Sequence, residues 1–384
     1  GKALVRALGG AEDVHDRIDD LLQILSAALE IARMAQENGQ ARGGVLIAIL
    51  EETVAQLAHE GALSTHGSLA LSRAWVRAGL VPPVQLGLSE ELLNESELGP
   101  LDATQAEAMI DDVFGDLIEQ AEGDAAALHG ALSEMLPALP AEVREMIIRT
   151  ALAQPDEIYG RLGCAFLLDP VEDTRLAAAQ GLAARLTAGN LDAEIAAQLV
   201  ILRSWLPEDA ARAQIDTLLR DAMRQGVSGG CVAKPWTVHK VLATLPDGTG
   251  AQSIGISVQR GSQRAMAMLL LKQDFGVKDA YVIPCPSASD QRKIIASLET
   301  ETDALPVSTG YLTTALELAL GDGLSQRLPP AAGLVEIAEM CGLTGLRPQN
   351  QTTAELLAML YPKGHLVERS PQARGRLINT SEYW

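Results

Sequence analysis

The side chains best suited to chemistry lie in one stretch: Asp247, Asp274, Asp279 and Asp290, with Lys240, Lys272 and Lys278 interspersed. Carboxylates on or beside an antiparallel sheet can hold Mg²⁺ for phosphodiester cleavage, and lysines can meet the phosphate. That chemistry would make the chain a metal-dependent, nuclease-like hydrolase with Asp247, Asp274 and Asp279 as ligands. Each acid also has an ordinary role. Asp247 begins Asp247-Gly248-Thr249-Gly250, and Asp-Gly is a common hairpin turn. Asp274 and Asp279 flank Gly276 in what reads as a loop. A thiol nucleophile needs a base within hydrogen-bond reach. Cys231 has only His239 nearby in sequence, with no third group implied.

Other catalytic signatures do not appear. There is no phosphate-binding P-loop, and the glycines at 248, 250 and 255 miss the dinucleotide spacing. No serine sits in a Gly-x-Ser-x-Gly elbow. The histidines at 15, 59, 66, 129, 239 and 365 are scattered without metal-ligand spacing. No cofactor or metal is expected.

The elements that would position these residues follow from patterning. Ser253, Gly255, Ser257 and Gln259 alternate with Ile254, Ile256 and Val258, the period of a half-buried strand. Strands are expected over Trp236–Leu245, about 254–258, Ala265–Leu271 and Ala280–Ile283. A helix capped by Ser287 or Ser289 should then run to Leu298. This is a small α+β unit at 231–300. Further helices are expected at about 311–320, 331–341 and 352–360, within a C-terminal helical segment 301–361, followed by a polar tail, 362–384.

The first part is different. Helices are expected over 11–37, 43–60, 66–79, 103–121 and 124–136, giving a helical region 1–136. With hydrophobic residues at 47% and aromatics at 3%, the cores must be built from Ala, Leu, Ile, Val and Met, which favours close-packed helices. The net charge of −20 falls entirely within residues 1–230, and Lys2 is the only lysine before position 234. From Ala78 to Val143 there is no Lys or Arg. The acids in that window include Glu90, Glu91, Glu95, Glu97, Asp111, Asp112 and Asp116. They can form a solvated surface or a face for a basic partner; no Asp-x-Asp-x-Asp-Gly calcium loop is present. Such a charge disfavours nucleic-acid and anionic-membrane binding.

Residues 137–227 carry an internal repeat. Pro140-Ala-Glu-Val-Arg144, Pro170-Val-Glu-Asp-Thr-Arg175 and Pro207-Glu-Asp-Ala-Ala-Arg212 each place an arginine in the first turns of an apolar helix. Proline suits a first helical turn, and acids after it face the positive helix end. Partner helices are expected at about 157–167 and 193–205. The run Leu167-Leu168-Asp169-Pro170-Val171-Glu172-Asp173-Thr174-Arg175-Leu176-Ala177-Ala178-Ala179 resembles the second helix of a HEAT repeat. Thr174 replaces the usual valine, Val143-Arg144 keeps the pair, and the third unit lacks Asp-Pro. The resemblance implies a stacked helical solenoid of the kind that holds other macromolecules; a generic helical bundle is the alternative.

The expected fold is therefore mainly α: a HEAT-like helical repeat stack, a small antiparallel α+β unit and C-terminal helices. The expected function is a non-catalytic scaffold or adaptor binding a protein with a basic surface through an acidic helical-repeat surface. No membrane span or signal peptide is visible. Cys164, Cys231, Cys285 and Cys341 are widely spaced, as in a reducing compartment, so a cytoplasmic home is expected. Beginning at Gly1 rather than methionine, the sequence is compatible with a fragment of a longer chain.

Overall fold

A computed structural model describes residues 2–9, 17–37, 39–87, 117–118, 121, 123–227, 235–343, 345–350 and 355. The described residues are mostly helical, with thirteen α-helices and one antiparallel five-stranded sheet. No helix among them is long and apolar enough to cross a membrane. The chain divides into two compact units, one comprising residues 1–166 and 173–191, the other 167–172 and 192–384. The division falls within the 137–227 segment, and the charge step near 230 lies inside the second unit.

The first unit opens with α1 (Lys2–Gly9), α2 (Arg17–Glu37), α3 (Ala41–His59) and α4 (Thr65–Arg77). Leu22, Leu25, Leu29 and Ala32 recur along one face of α2 and are buried. They meet Leu50, Val54 and Leu57 of α3, Leu71 and Trp75 of α4, and Val5 and Leu8 of α1 in one core. Gly43 lets α3 approach α2 closely, because any side chain there would run into the Ala32 carbonyl. Ser64 caps α4 by accepting the Gly67 N–H.

After the expected helix 103–121, of which 117, 118 and 121 alone are described, come α5 (Ala125–Met135), α6 (Ala141–Ala153), α7 (Glu157–Phe166) and α8 (Glu172–Thr187). α5 packs on α4 and α7, and α6 packs on α7. A Cβ added at Gly163 of α7 would lie 2.8 Å from Leu182 Cδ2 of α8, and one at Gly181 of α8 would lie 2.7 Å from Leu152 Cβ of α6. Glycine at both places is therefore what lets these helices touch. Arg185, 1% exposed near the end of α8, donates to the carbonyls of Gln154, of Asp156 at 3.1 Å and of Asn190 at 3.1 Å.

His129 of α5 packs edge-on against Phe166, with ring centroids 4.8 Å apart. Burial pushes its imidazole down from 6.5 to about 4. Between those values the unfolded chain binds a proton that the folded chain refuses. Stability therefore falls as pH drops through this window and the loss is complete below it. The full shift would be worth about 3 kcal/mol, and because the ring is only partly covered we expect about 2 kcal/mol. Urea titrations of wild type and His129→Gln at neutral and acid pH check this. The variant should show the shallower loss on acidification, and an equal loss in both would assign the acid sensitivity to other groups.

The second unit contains α9 (Ala193–Leu202), α10 (Ala210–Arg224), strands β1 (Thr237–Ala243), β2 (Ala251–Arg260), β3 (Gln263–Lys272) and β4 (Gly276–Cys285), then α11 (Ala288–Glu301), β5 (Leu305–Val307), α12 (Thr309–Ser325) and α13 (Leu334–Cys341). Asp192 and Asp209 cap α9 and α10 by accepting the N–H groups of Ile195 and Arg212. The sheet order is β4-β3-β2-β1-β5, antiparallel throughout. Ser287 is the cap of α11, accepting from the Asp290 N–H.

Register decides which helix covers which face. Ile254, Ile256 and Val258 of β2 stand opposite Leu269, Ala267 and Ala265 of β3. Gly255 points the other way, toward Leu298 of α11, which would lie 2.6 Å from an added Cβ. Gln252 is on the Ile254 face and donates to the Tyr311 hydroxyl of α12 at 2.8 Å. Thus α11 and α12 cover opposite faces of the sheet. α9 joins the unit through Gln198, which donates to Glu339 of α13. Trp205, just after α9, donates from Nε1 to the Leu346 carbonyl at 3.3 Å.

Candidate functional site

A concavity lies in the second unit, between α12 and the end of the sheet where the β1–β2 and β3–β4 turns meet. It is an open-sided groove of about 800 Å³. α12 supplies one wall because Tyr311, Thr314, Ala315, Leu318, Ala319 and Asp322 recur at helical spacing on one face. Gly250, Leu271, Lys272 and Gln273 supply the other, with Gln252 between the walls and Gln349 and Asn350 at one end. Ala315 and Ala319 keep the helix wall low.

Hydrogen bonds set the shape of the groove. Gln252, 8% exposed, donates to the Thr244 carbonyl and to Tyr311. The Gln273 N–H donates to the Gly250 carbonyl at 3.1 Å, tying the two turns together. Asp322 accepts the Asp274 N–H at 2.7 Å. That bond fixes Asp274 at φ 65, a left-handed conformation that non-glycine residues adopt at some cost. The Lys272 and Lys278 ammonium groups lie 5.3 and 5.0 Å from the ring centre of Phe275 at the tip of the turn. Gly321 lets the 349–350 segment cross α12, since a Cβ there would strike the Gln349 carbonyl.

The three aspartates of the hydrolase reading occupy different local settings. Asp247 closes the β1–β2 turn, accepting the Thr249 hydroxyl at 2.7 Å and the N–H groups of Thr249 and Ala251 at 2.8 and 3.0 Å. The Thr249 hydroxyl, then the backbone donors and the nearby Lys272 charge, hold its carboxyl below the usual range. Asp274 sits in the adjoining β3–β4 turn, and Asp279 lies along β4, where it accepts the Ala280 N–H at 2.8 Å. All three are exposed. Among the described residues, no group of three or more His, Cys, Asp or Glu side chains is arranged to hold a metal ion. His239 pairs with Gln259 at 3.1 Å, while Cys231 lies outside the described residues.

The acids proposed to face a partner, Glu90, Glu91, Glu95, Glu97, Asp111, Asp112 and Asp116, also lie outside the described residues. The repeat residues are all placed. Pro140 precedes α6 and Arg144 lies in its first turn. Asp169 accepts the Val171 N–H at 2.7 Å, forming with Pro170 the turn before α8, and Arg175 is buried in α8. Pro207 is buried before α10, where Arg212 donates to the Leu206 carbonyl at 3.3 Å. The pattern missed the groove residues Gln252, Tyr311 and Asp322. A visible clue was the α12 face, where small and polar residues recur every three or four positions.

Residues 1–83 match the family model of the uncharacterised protein y4lR N-terminal domain, and residues 140–226 match that of the Y4lR second domain. Over 372 residues the chain is 29% identical to the uncharacterized protein y4lR of Sinorhizobium fredii (strain NBRC 101917 / NGR234), covering 94% of this chain and 69% of that one. The similarity thus extends beyond the two matched segments into the part that carries the groove. No solved structure matches.

Proposed function

We propose that this chain is a non-catalytic scaffold that binds another protein, one with a basic surface, through its amino-terminal helices. The observation that carries this reading is an uncovered apolar stripe on α2. Ile24, Ile31 and Met34 repeat on the outward side of that helix and are 54%, 63% and 44% exposed. Val45 and Leu46 of α3 are exposed as well. Single exposed apolar residues are ordinary, but a row at helical spacing favours a covering partner. Exposed Asp20 and Glu30 lie on the same helix, and Arg33 is engaged with Glu37 and the Ala78 carbonyl. The acid-rich, cation-free window 78–143 adds to the attraction for a basic partner.

We read the pairs α7/α8 and α9/α10 as HEAT-like units. The close contact at Gly163 supports the first pair, and the aspartate caps of α9 and α10 support the second. The thiols of Cys164 and Cys285, both buried, fit a cytoplasmic home.

Affinity capture with stepped salt elution, read by mass spectrometry, tests the proposal. The triple variant Ile24→Ser, Ile31→Ser, Met34→Ser should retain the partner at least about tenfold less, since each buried side chain of this kind is worth about 1.5–3 kcal/mol. Charge reversal at Glu90, Glu91, Asp111 and Asp112 should move elution to lower salt. A partner retained equally by both variants would defeat the reading.

A further inference from the structure

We infer that the strap following α4 is a docking ridge for a partner module whose groove is lined by aromatic rings and bordered by basic side chains. The strap is Val81-Pro82-Pro83-Val84. Each proline fixes its own φ at about −65° and holds the residue before it in extended backbone. Val81, Pro82 and Pro83 are thereby confined to the polyproline II helix, and Pro83 stands at φ −55 and ψ 141. Val84 opens a short 3-10 turn, Val84–Leu86, whose φ is close to that of polyproline II. That helix repeats every three residues, so the side chains of Val81 and Val84 leave on one ridge. They are 86% and 91% exposed, more than any other large apolar side chain among the described residues. Pro82 and Pro83 are partly buried.

Both ends of the strap are tied down. The Leu80 N–H donates to the Trp75 carbonyl at 2.9 Å, and Leu80 packs on the core of α1 to α4. The Leu86 N–H donates to the Pro83 carbonyl at 2.9 Å, and Leu86 is buried in that same core. The ridge is thus held in the form that polyproline II readers select, and docking orders little chain. A projecting ridge needs a groove rather than a flat face. Prolines donate no N–H, so the partner cannot add a strand along it. Slots between aromatic rings suit such a ridge. Charge sets the rim. No charged residue lies between Arg77, which is paired with Glu134 at 2.9 Å, and Glu90-Glu91, the first charges after the ridge. Basic side chains beside the groove complement those acids. Ridge against ridge in a second copy would instead bring the acids of both chains together. The ridge lies on a different segment from the α2 stripe, and its test stands without that stripe.

The test uses the intact chain. Purified SH3, WW and EVH1 modules, whose grooves are lined by aromatic side chains, are labelled and titrated with it by fluorescence anisotropy at low and physiological salt. At least one module should bind saturably, and more weakly as salt rises. The double variant Val81→Ser, Val84→Ser should lose at least about tenfold in affinity. Both valines are exposed, so the variant should keep its fold, which circular dichroism checks. The free peptide Leu80–Gly87, untied at its ends, should bind at least about tenfold more weakly than the chain. Binding by none of the modules, equal binding of the double variant, or a free peptide as tight as the chain would overturn the inference. Self-association in sedimentation velocity that the double variant abolishes would assign the ridge to a second copy and overturn it as well.

Discussion

The Arg185→Met variant is expected to lose about 3–4 kcal/mol of stability in the amino-terminal unit, the largest effect foreseen for a single residue there. Methionine keeps much of the side-chain volume and removes the guanidinium. Arg185 serves the carbonyls of Gln154, Pro155, Asp156 and Asn190. Those of Gln154 to Asp156 belong to the turn between α6 and α7, and Asn190 follows α8. One side chain therefore ties three helices together at their ends. Without it, carbonyls facing a covered site lose their donor, and each such group costs about 1–3 kcal/mol. Urea denaturation followed by circular dichroism measures the loss. Arg185→Lys should recover only part of it, because an ammonium group cannot span the fan of acceptors that a guanidinium reaches. A loss below about 1 kcal/mol would show that the turn holds itself.

Gly276→Ala is expected to cost the second unit about 3 kcal/mol. Two independent causes act at this position. Gly276 has φ 75, where a side chain is strained. Its added Cβ would also lie 2.6 Å from the Ala319 carbonyl and 2.8 Å from Gly323 Cα. Both obstacles are backbone of α12, so no rotamer change relieves them. The hairpin must lift from the helix, which moves Phe275 and breaks the bond from the Asp274 N–H to Asp322. The melting temperature should fall by roughly 6–12 °C for a unit of this size. The neighbouring control Gly248→Ala has open space and no positive φ, and it should be close to neutral. If Gly276→Ala is also neutral, the contact between the β3–β4 turn and α12 is not as close as described.

Much of the second unit could be read from its residues. Alternation at 254–258 marked β2, Asp247-Gly248 marked the turn, and Ser287 marked the start of α11. The errors share a cause: long-range contacts override local signals. The helix expected to end at 320 continues to Ser325 through Gly321 and Gly323. Both glycines stay helical, with the 349–350 segment against Gly321 and Gly276 against Gly323. β4 begins at Gly276, four residues before the alternation suggested, with a bulge between Leu270 and Leu271 absorbing the offset. β5 is three residues with Pro306 in the middle, tolerable because it lies at the sheet edge. α1 is too short for periodicity to show, although Val5 and Leu8 enter the core.

The site residues were harder to read for a physical reason. A groove is a property of what surrounds an absence, and Ala315 and Ala319 announce nothing in sequence. Arg185 looks like any solvated helix arginine until the carbonyls around it are placed. Conversely, the aspartates that looked most chemical, Asp247 and Asp274, are engaged in shaping turns.

Site-specific photocrosslinking tests the scaffold proposal most directly. Benzoylphenylalanine at position 31 or 45, one on α2 and one on α3, would be irradiated in a lysate of the source cells, with Arg220→benzoylphenylalanine as the control on an exposed polar helix position. One discrete protein, of basic surface, should be joined at both 31 and 45 and absent at 220. No adduct at either position, or the same spread of adducts at all three, would contradict a partner seated on the apolar stripe.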